Sequence, residues 1–550
     1  MDLSRRRFLG GTAASAWWAT SAARTRALDE TARRASSIEG TTLSVTVVRP
    51  NGPGYVKLRE GPGWPTVVRS ELRELDTARD TRRRAVAAFA HLTDVHLIDA
   101  QSPGRVEFLD GLGEPFTGAY RPQETLTTQV QASMVQRLVD LQRAPITGRR
   151  LDCAVSTGDN IDNCQHNELD WFIGVLDGGT VTANSGDQHR YEGVQATEWG
   201  DPRYWHPDGG IADTYLAAGF PTVPGLLDAA IAPHRSPGLD IAWYSTYGNH
   251  DGLIQGNVPR SDAFDELLVA DFKITDLPHG VSAVTFLAEA IGDTAAIRRR
   301  VADGSMPHQS VTADPQRRSL TTQDWVHAHL ASTHRPSPAG HGYTEDHLDG
   351  RPLSYRFEIA PGVVGISMDT GGYNSGSIGE DQLRFLEATL SAVHSRSFDS
   401  SGGEVRSGND DQLVVLFSHF TSETMTGAPP DPSHPGERRI EGEELVAFLH
   451  RWPNLVAWVN GHTHTNEVRP MPDRSGRTGG FWQITTASHV DFPEHARSWS
   501  WSTTTTGRCR SSPRWLSTPR RSWPTTTTCP RSGWRRSAGS SPRTVSRRRR

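Results

Sequence analysis

The chain has 550 residues, 22% charged and 35% hydrophobic, the composition of a soluble globular protein with room for a large core. Its formal net charge of -5 conceals an asymmetry. Of 58 Lys and Arg side chains, 14 lie from residue 497 onward with no acid among them, which leaves 44 against 63 acidic ones, or -19, before that point. An acidic body argues against nucleic acid as the main partner, because phosphate-backbone binding needs a basic face.

Residues 1–27 read as an address. Ser4-Arg5-Arg6-Arg7-Phe8-Leu9, followed by a short Ala/Gly/Trp stretch, resembles a twin-arginine signal, with cleavage after Ala23 or Ala27. The expectation is export by the twin-arginine machinery, to the periplasm, the cell envelope or the outside. The stretch is too short and polar to span a bilayer, and no other segment is a candidate span.

An N-terminal extension, residues 40–84, leads into short apolar strands that each end in a polar tip. Residues 85–90 run into "HLTDVH", 151–156 into "TGDN" and 241–247 into "GNHD". Further on, 413–417 run into "SHF" and 455–459 into "NGHTH". Residues 357–359 and 363–368 read as a hairpin turning at Pro361-Gly362, and 481–486 as a further strand. Helical spacing covers 123–142 (Val130, Met134, Leu138, Leu141), 380–394 (Leu383, Leu386, Leu390, Val393) and 441–451. Strands alternating with helices, plus a hairpin, predict an α/β layered core over residues 85–496. Residues 177–240 and 254–350 exceed ordinary connections and read as inserted loops able to form a cap. Within the first, Trp199, Tyr204 and Trp205 are read as lid packing, with stacking on an aromatic leaving group as the second reading.

Residues 497–550 differ from everything before. They hold five Trp and two four-Thr runs but no Asp, Glu, Lys, Ile or Phe. The preferred reading is a frameshifted tail; a disordered basic tail and an envelope anchor are the alternatives. Of the four cysteines, Cys153 and Cys164 flank one motif, as a disulfide or as two buried thiols, and Cys509 and Cys529 lie in the tail.

The five tips carry Asp94 and His96, Asp159, Asn249 with His250 and Asp251, His419, and His462 with His464. Each is weak alone: Gly-Asp suits a turn, and a His that ends a strand is commonly a hydrogen-bonded core residue. Together they are specific. Tips from one sheet edge converge on one crevice. Imidazole nitrogen mixed with hard oxygen suits Mn, Fe, Zn or Co, and seven donors fill two sites when one carboxylate bridges. Asn160, Asp162, Asn163 and His166 follow Asp159 closely and read mainly as caps and turns, with a place in the substrate pocket or behind the ligands as the second reading for some, and Asp99 and His489 read as structural.

The order DxH, GDx, GNHD, H, GHxH resembles the calcineurin-like metallophosphoesterase superfamily, its larger exported bacterial members in particular, over about residues 85–490. The resemblance implies a four-layer α/β/β/α sandwich of two mixed sheets with a dinuclear centre at the strand tips. It assigns Asp94, His96 and His464 to one divalent ion, Asn249, His419 and His462 to the other, and Asp159 to both. His250 becomes the general acid and Asp251 the residue that holds its ring. The implied activity is hydrolysis of a small-molecule phosphate mono- or diester by a metal-bridging hydroxide. The alternative is a non-catalytic metal-binding or interaction protein that keeps the sandwich. No tyrosine follows Asp159 in "GDNIDN", so a ferric-tyrosinate site of the purple acid phosphatase kind is not expected.

Overall fold

The computed structural model describes residues 37–52, 56–74, 82–113, 116–336, 338–371, 376–427, 436–504 and 515–516. The expected export signal at 1–27, most of the tail with Cys509 and Cys529, and the Pro-rich segment 429–435 lie outside these.

The architecture is mixed α/β, built on two mixed sheets. In the first, β1 (Arg83–Leu92), β2 (Cys153–Thr157) and β3 (Ala242–Thr246) run parallel. The second contains β4 (Tyr355–Ala360), β5 (Val363–Met368), β6 (Leu413–Ser418), β7 (Leu455–Asn460), β8 (Glu467–Met471) and β9 (Phe481–Thr485), in the order β4-β5-β6-β7-β9-β8. Its inner four strands are parallel, and β4 and β8 run antiparallel at the edges. The expected hairpin at Pro361-Gly362 is the β4–β5 pair.

Continuous apolar runs suit strands covered on both faces. In β6, Leu413, Val415 and Phe417 enter one core, and Val414 and Leu416 a second. That division follows from the two-residue period of a strand. The first core also takes Met134, Val135 and Leu138 of α1 (Thr127–Leu141) and Leu169, Phe172 and Val175 of α2 (His166–Asp177). The second takes Leu386 and Leu390 of α3 (Glu380–Ala392) and Leu445 and Leu449 of α4 (Gly442–Leu449). The two sheets touch through Phe89 against Phe417, ring centroids 5.3 Å apart, and through Tyr244 stacked on Phe357 at 4.0 Å. Cys153 and Cys164 are buried free thiols.

The insertions are more regular than loops. The first is closed at its base by Gly179–Val181 paired with His234–Ser236. The second carries helices Asp262–Leu268, Ala283–Gly292, Thr294–Ala302 and Thr322–Ala331. Trp205 packs against Phe220 inside the insertion, and Tyr204 packs edge-on against Tyr120, outside it, so these rings serve packing. No described helix is long and apolar enough to cross a membrane.

The composition boundary at residue 497 is not a structural boundary. Strand β10 (Arg497–Thr504) pairs antiparallel with β1 from Arg497↔His91 to Thr504↔Arg83, and β11 (Trp515–Leu516) adds outside it. The first sheet therefore reads β11-β10-β1-β2-β3. Trp499 and Trp501 are buried, and Trp501 stacks on Phe89 with centroids 5.1 Å apart. A cut after Ala496 would remove a sheet strand, so any test of the tail has to begin beyond β11. Trp501→Ala is expected to cost about 3–5 kcal/mol of stability, the usual loss for a buried Trp, read as a lowered urea midpoint. A change below about 1 kcal/mol would contradict this packing.

Candidate metal centre

All five tips lie at the carboxyl ends of β1, β2, β3, β6 and β7, where parallel strands leave a crevice. The turns there are tight. Asp94, His96, Asp159, His462 and His464 all have positive φ, between 46° and 68°. Non-glycine residues are uncommon in that region, and each carries a conformational cost of about 1–3 kcal/mol that surrounding structure must offset. Gly461 shows how close the turns approach: a Cβ there would overlap Thr93 Oγ1 and Asp94 Oδ2.

Asp159 sits at the middle. Its Oδ1 accepts the His250 backbone N–H at 2.8 Å. Its Oδ2 lies 3.1 Å from His419 Nε2, 3.6 Å from His96 Nε2 and 4.0 Å from His250 Nε2. To one side, His464 Nε2 is 3.3 Å from Asp94 Oδ1 and 3.2 Å from His96 Nε2. To the other, Asp159, His419 and His462 bring donor atoms within 4.8 Å of one another, as do Asp94, His96 and His464.

The donor set fits two divalent ions. Nδ1 of His96 donates to Asp162 at 2.6 Å, Nδ1 of His464 to Asp491 at 2.7 Å, and Nδ1 of His419 to the Thr157 carbonyl at 2.8 Å. Carboxylates and carbonyls only accept, so each ring keeps its Nε2 lone pair for a ligand. Asn249 Oδ1 is buried without a hydrogen-bond partner. Buried polar atoms are rarely left so, and Asn249 belongs to the ligand set read from the sequence.

Charge balance points the same way. Burial opposes ionisation of Asp94 and Asp159, yet His464 beside the first and His419 beside the second hold both carboxyls well below the usual range. Burial likewise pulls the imidazoles down, but Asp159 holds His419 up at about 9, and Asp94 with Asp491 holds His464 up at about 10. His96 falls to about 4 through burial and the neighbouring His250, and His462 to about 3 through burial and His419. Without ions, two imidazolium cations therefore compensate two buried carboxylates. Each must lose its proton to become a ligand. Uptake of two ions near pH 7 is expected to release about two protons, read with an indicator dye in weak buffer, and affinity should rise with pH through about 9 and on toward about 10. Release of none would show that His419 and His464 are not the ligands.

One sequence assignment is corrected. Asp251 does not touch the His250 ring. It is buried and accepts the N–H groups of Gly248 at 2.7 Å, Asn160 at 2.8 Å and Ile161 at 3.0 Å, tying two tips together. Burial first, then Asp159, pushes its carboxyl up to about 8. The ring is held by Asp162 instead, whose Oδ1 accepts from Nδ1 of His250 at 2.6 Å as well as from His96. Burial would raise the Asp162 carboxyl, but Arg105 holds it well below its ordinary value.

Asp491 is the second residue that sequence reasoning missed; only the carboxylate in "DFPEH" hinted at it. Asn160 bonds Asp251 and Ser156, Asn163 bonds Glu168, Asp99 bonds Ser185 and Asn167, and His489 bonds Gln131, all within the framework. His166 lies on α2 with its Nε2 3.8 Å from Asp324.

No family model matches the chain, and no curated protein does. Among solved structures it matches a dimetal phosphatase from Danio rerio, with 13% identity over 80% of this chain and 100% of that one, at a TM-score of 0.28. A likeness that loose leaves the functional reading to the side chains.

Proposed function

We propose that the chain is a dinuclear metal-dependent phosphoesterase of the calcineurin-like metallophosphoesterase superfamily, on a four-layer α/β/β/α sandwich. The observation that carries this is the convergence on Asp159. One carboxylate oxygen faces three imidazoles, with Asp94 and His464 to one side and His462 to the other. The shared core between the sheets and the helical core behind the second support the layering.

Asp94, His96 and His464 would hold one ion, Asn249, His419 and His462 the other, with Asp159 between. Two divalent cations there (Mn, Fe, Zn or Co) supply Lewis acidity that draws charge from the phosphoryl oxygens and acidifies the attacking water. His250 is the acid. Its ring is 18% exposed, against full burial for His96 and His419, so it faces the open side of the centre. Its Nδ1–H is fixed on Asp162, which orients Nε2 to hand a proton to the leaving oxygen.

Metal analysis joined to a phosphate-ester panel tests the proposal. Two ions per chain, with turnover of p-nitrophenyl phosphate or its bis ester, are expected; the preferred substrate separates monoesterase from diesterase. Two ions with no turnover across the panel would favour the non-catalytic metal-binding alternative. Export is part of the proposal and rests on Arg5-Arg6: changing both to Lys should leave the protein inside the cell. Unchanged export would remove that part alone.

A further inference from the structure

Both imidazoles of the Asp94 side are backed by carboxylates, and those carboxylates lead into one buried network. Asp162, which holds His96, also accepts from Nη1 of Arg105, and from Nε2 of Gln255 at 3.1 Å. Arg105 donates through Nε and Nη2 to Glu124 Oε2 at 3.3 and 3.0 Å. The same oxygen accepts the Arg121 N–H at 3.0 Å. The Arg121 guanidinium then reaches back, its Nε 3.4 Å from Asp491 Oδ1, and Asp491 holds His464. The circuit closes where His464 and His96 face each other across 3.2 Å. Arg105 and Glu124 are 2% and 0% exposed and Arg121 is 7%. On the opposite side, Nδ1 of His419 rests on a backbone carbonyl, with no charged partner behind it.

We propose that Arg105, Glu124 and Arg121 form a positioning device for one of the two metal sites, the Asp94–His96–His464 half, and make that half the tighter one. The inference rests on the dinuclear reading above. A carboxylate behind an imidazole fixes its tautomer and ring orientation, and the arginines hold both carboxylates aimed. Glu124 ties the two arginines together, so the two rings are set as a pair. None of the three residues contacts the donor atoms, so each acts through Asp162 or Asp491.

The test measures Mn²⁺ binding to the full chain by equilibrium dialysis, in backgrounds that isolate each half. Wild type should take two ions, and His462→Ala and His464→Ala one each. In the His462→Ala background, Arg121→Met should weaken the remaining ion about 10–100-fold, and Arg121→Lys should recover most of that loss. In the His464→Ala background the same change should alter affinity less than about threefold. Equal losses in both backgrounds, or a loss confined to His464→Ala, would overturn the inference while leaving the two-ion reading intact. Fewer than two ions on wild type would instead overturn the dinuclear reading. A cooperative melt checks folding, and if Arg121→Met lacks one, Glu124→Gln carries the same expectations.

Discussion

Asp159→Ala is expected to abolish metal uptake and hydrolysis together. The residue is 1% exposed and its two oxygens do different work. Oδ1 fixes the backbone of the Asn249–His250 tip, and Oδ2 is the atom toward which His419, His96 and His250 converge. Removing it takes away the carboxylate that faces both His96 and His419 and leaves the His250 N–H without its acceptor. The ions are expected to fall from two per chain to fewer than about 0.2, and kcat/KM by at least about a thousandfold, since each ion supplies several kcal/mol of charge stabilisation. Metal analysis after gel filtration, paired with the ester panel, reads both. A variant that kept two ions would show that Asp159 does not bridge, and the assignment of both halves would have to be redrawn.

His250→Ala separates chemistry from metal binding. The ring belongs to the centre by position, with its centroid 4.4 Å from that of His96, yet its carboxylate partner Asp162 keeps His96, Arg105 and Gln255 after the ring is gone. The framework should therefore survive. Both ions are expected to stay, while kcat on an alkyl phosphate falls about 10²–10⁴-fold, the usual contribution of a positioned general acid. An activated aryl ester, whose leaving group needs little protonation, should lose far less. Equal losses on both esters would remove His250 as the acid, and loss of an ion would make it a ligand.

The sheet-forming half of the fold was legible in the sequence because it obeys local rules. Runs such as 413–417 and 455–459 are apolar without interruption and end at glycine or histidine, which specifies a buried strand and its exit. Helix 123–142 was legible through its single apolar face. The residues that converge were legible because each lies at a tip, next to the strand that aims it.

What was not legible depends on partners distant in the chain. Asp251 adjoins His250 and was assigned to it, but the chain turns that side chain toward the amides of Gly248, Asn160 and Ile161. Asp162, 88 residues before His250 in the chain, reads as a turn residue until β2 and β3 are laid side by side. Asp491 and the Arg105–Glu124–Arg121 chain come from connections with no periodic signal. Strand β10 was masked by the unusual composition around it; two buried tryptophans inside a Ser/Thr-rich run were its only trace.

The pairing of β10 with β1 sets which end of this pair lies away from the centre. Strand β1 starts at Arg83, at the pole remote from the metal centre, and runs toward it; β10 starts beside His91 and runs back until Thr504 lies opposite Arg83. The start of β1 and the end of β10 thus lie side by side, behind the crevice. Fraying of this pair from its Arg83–Thr504 end would begin on the side of the sheet opposite the five tips.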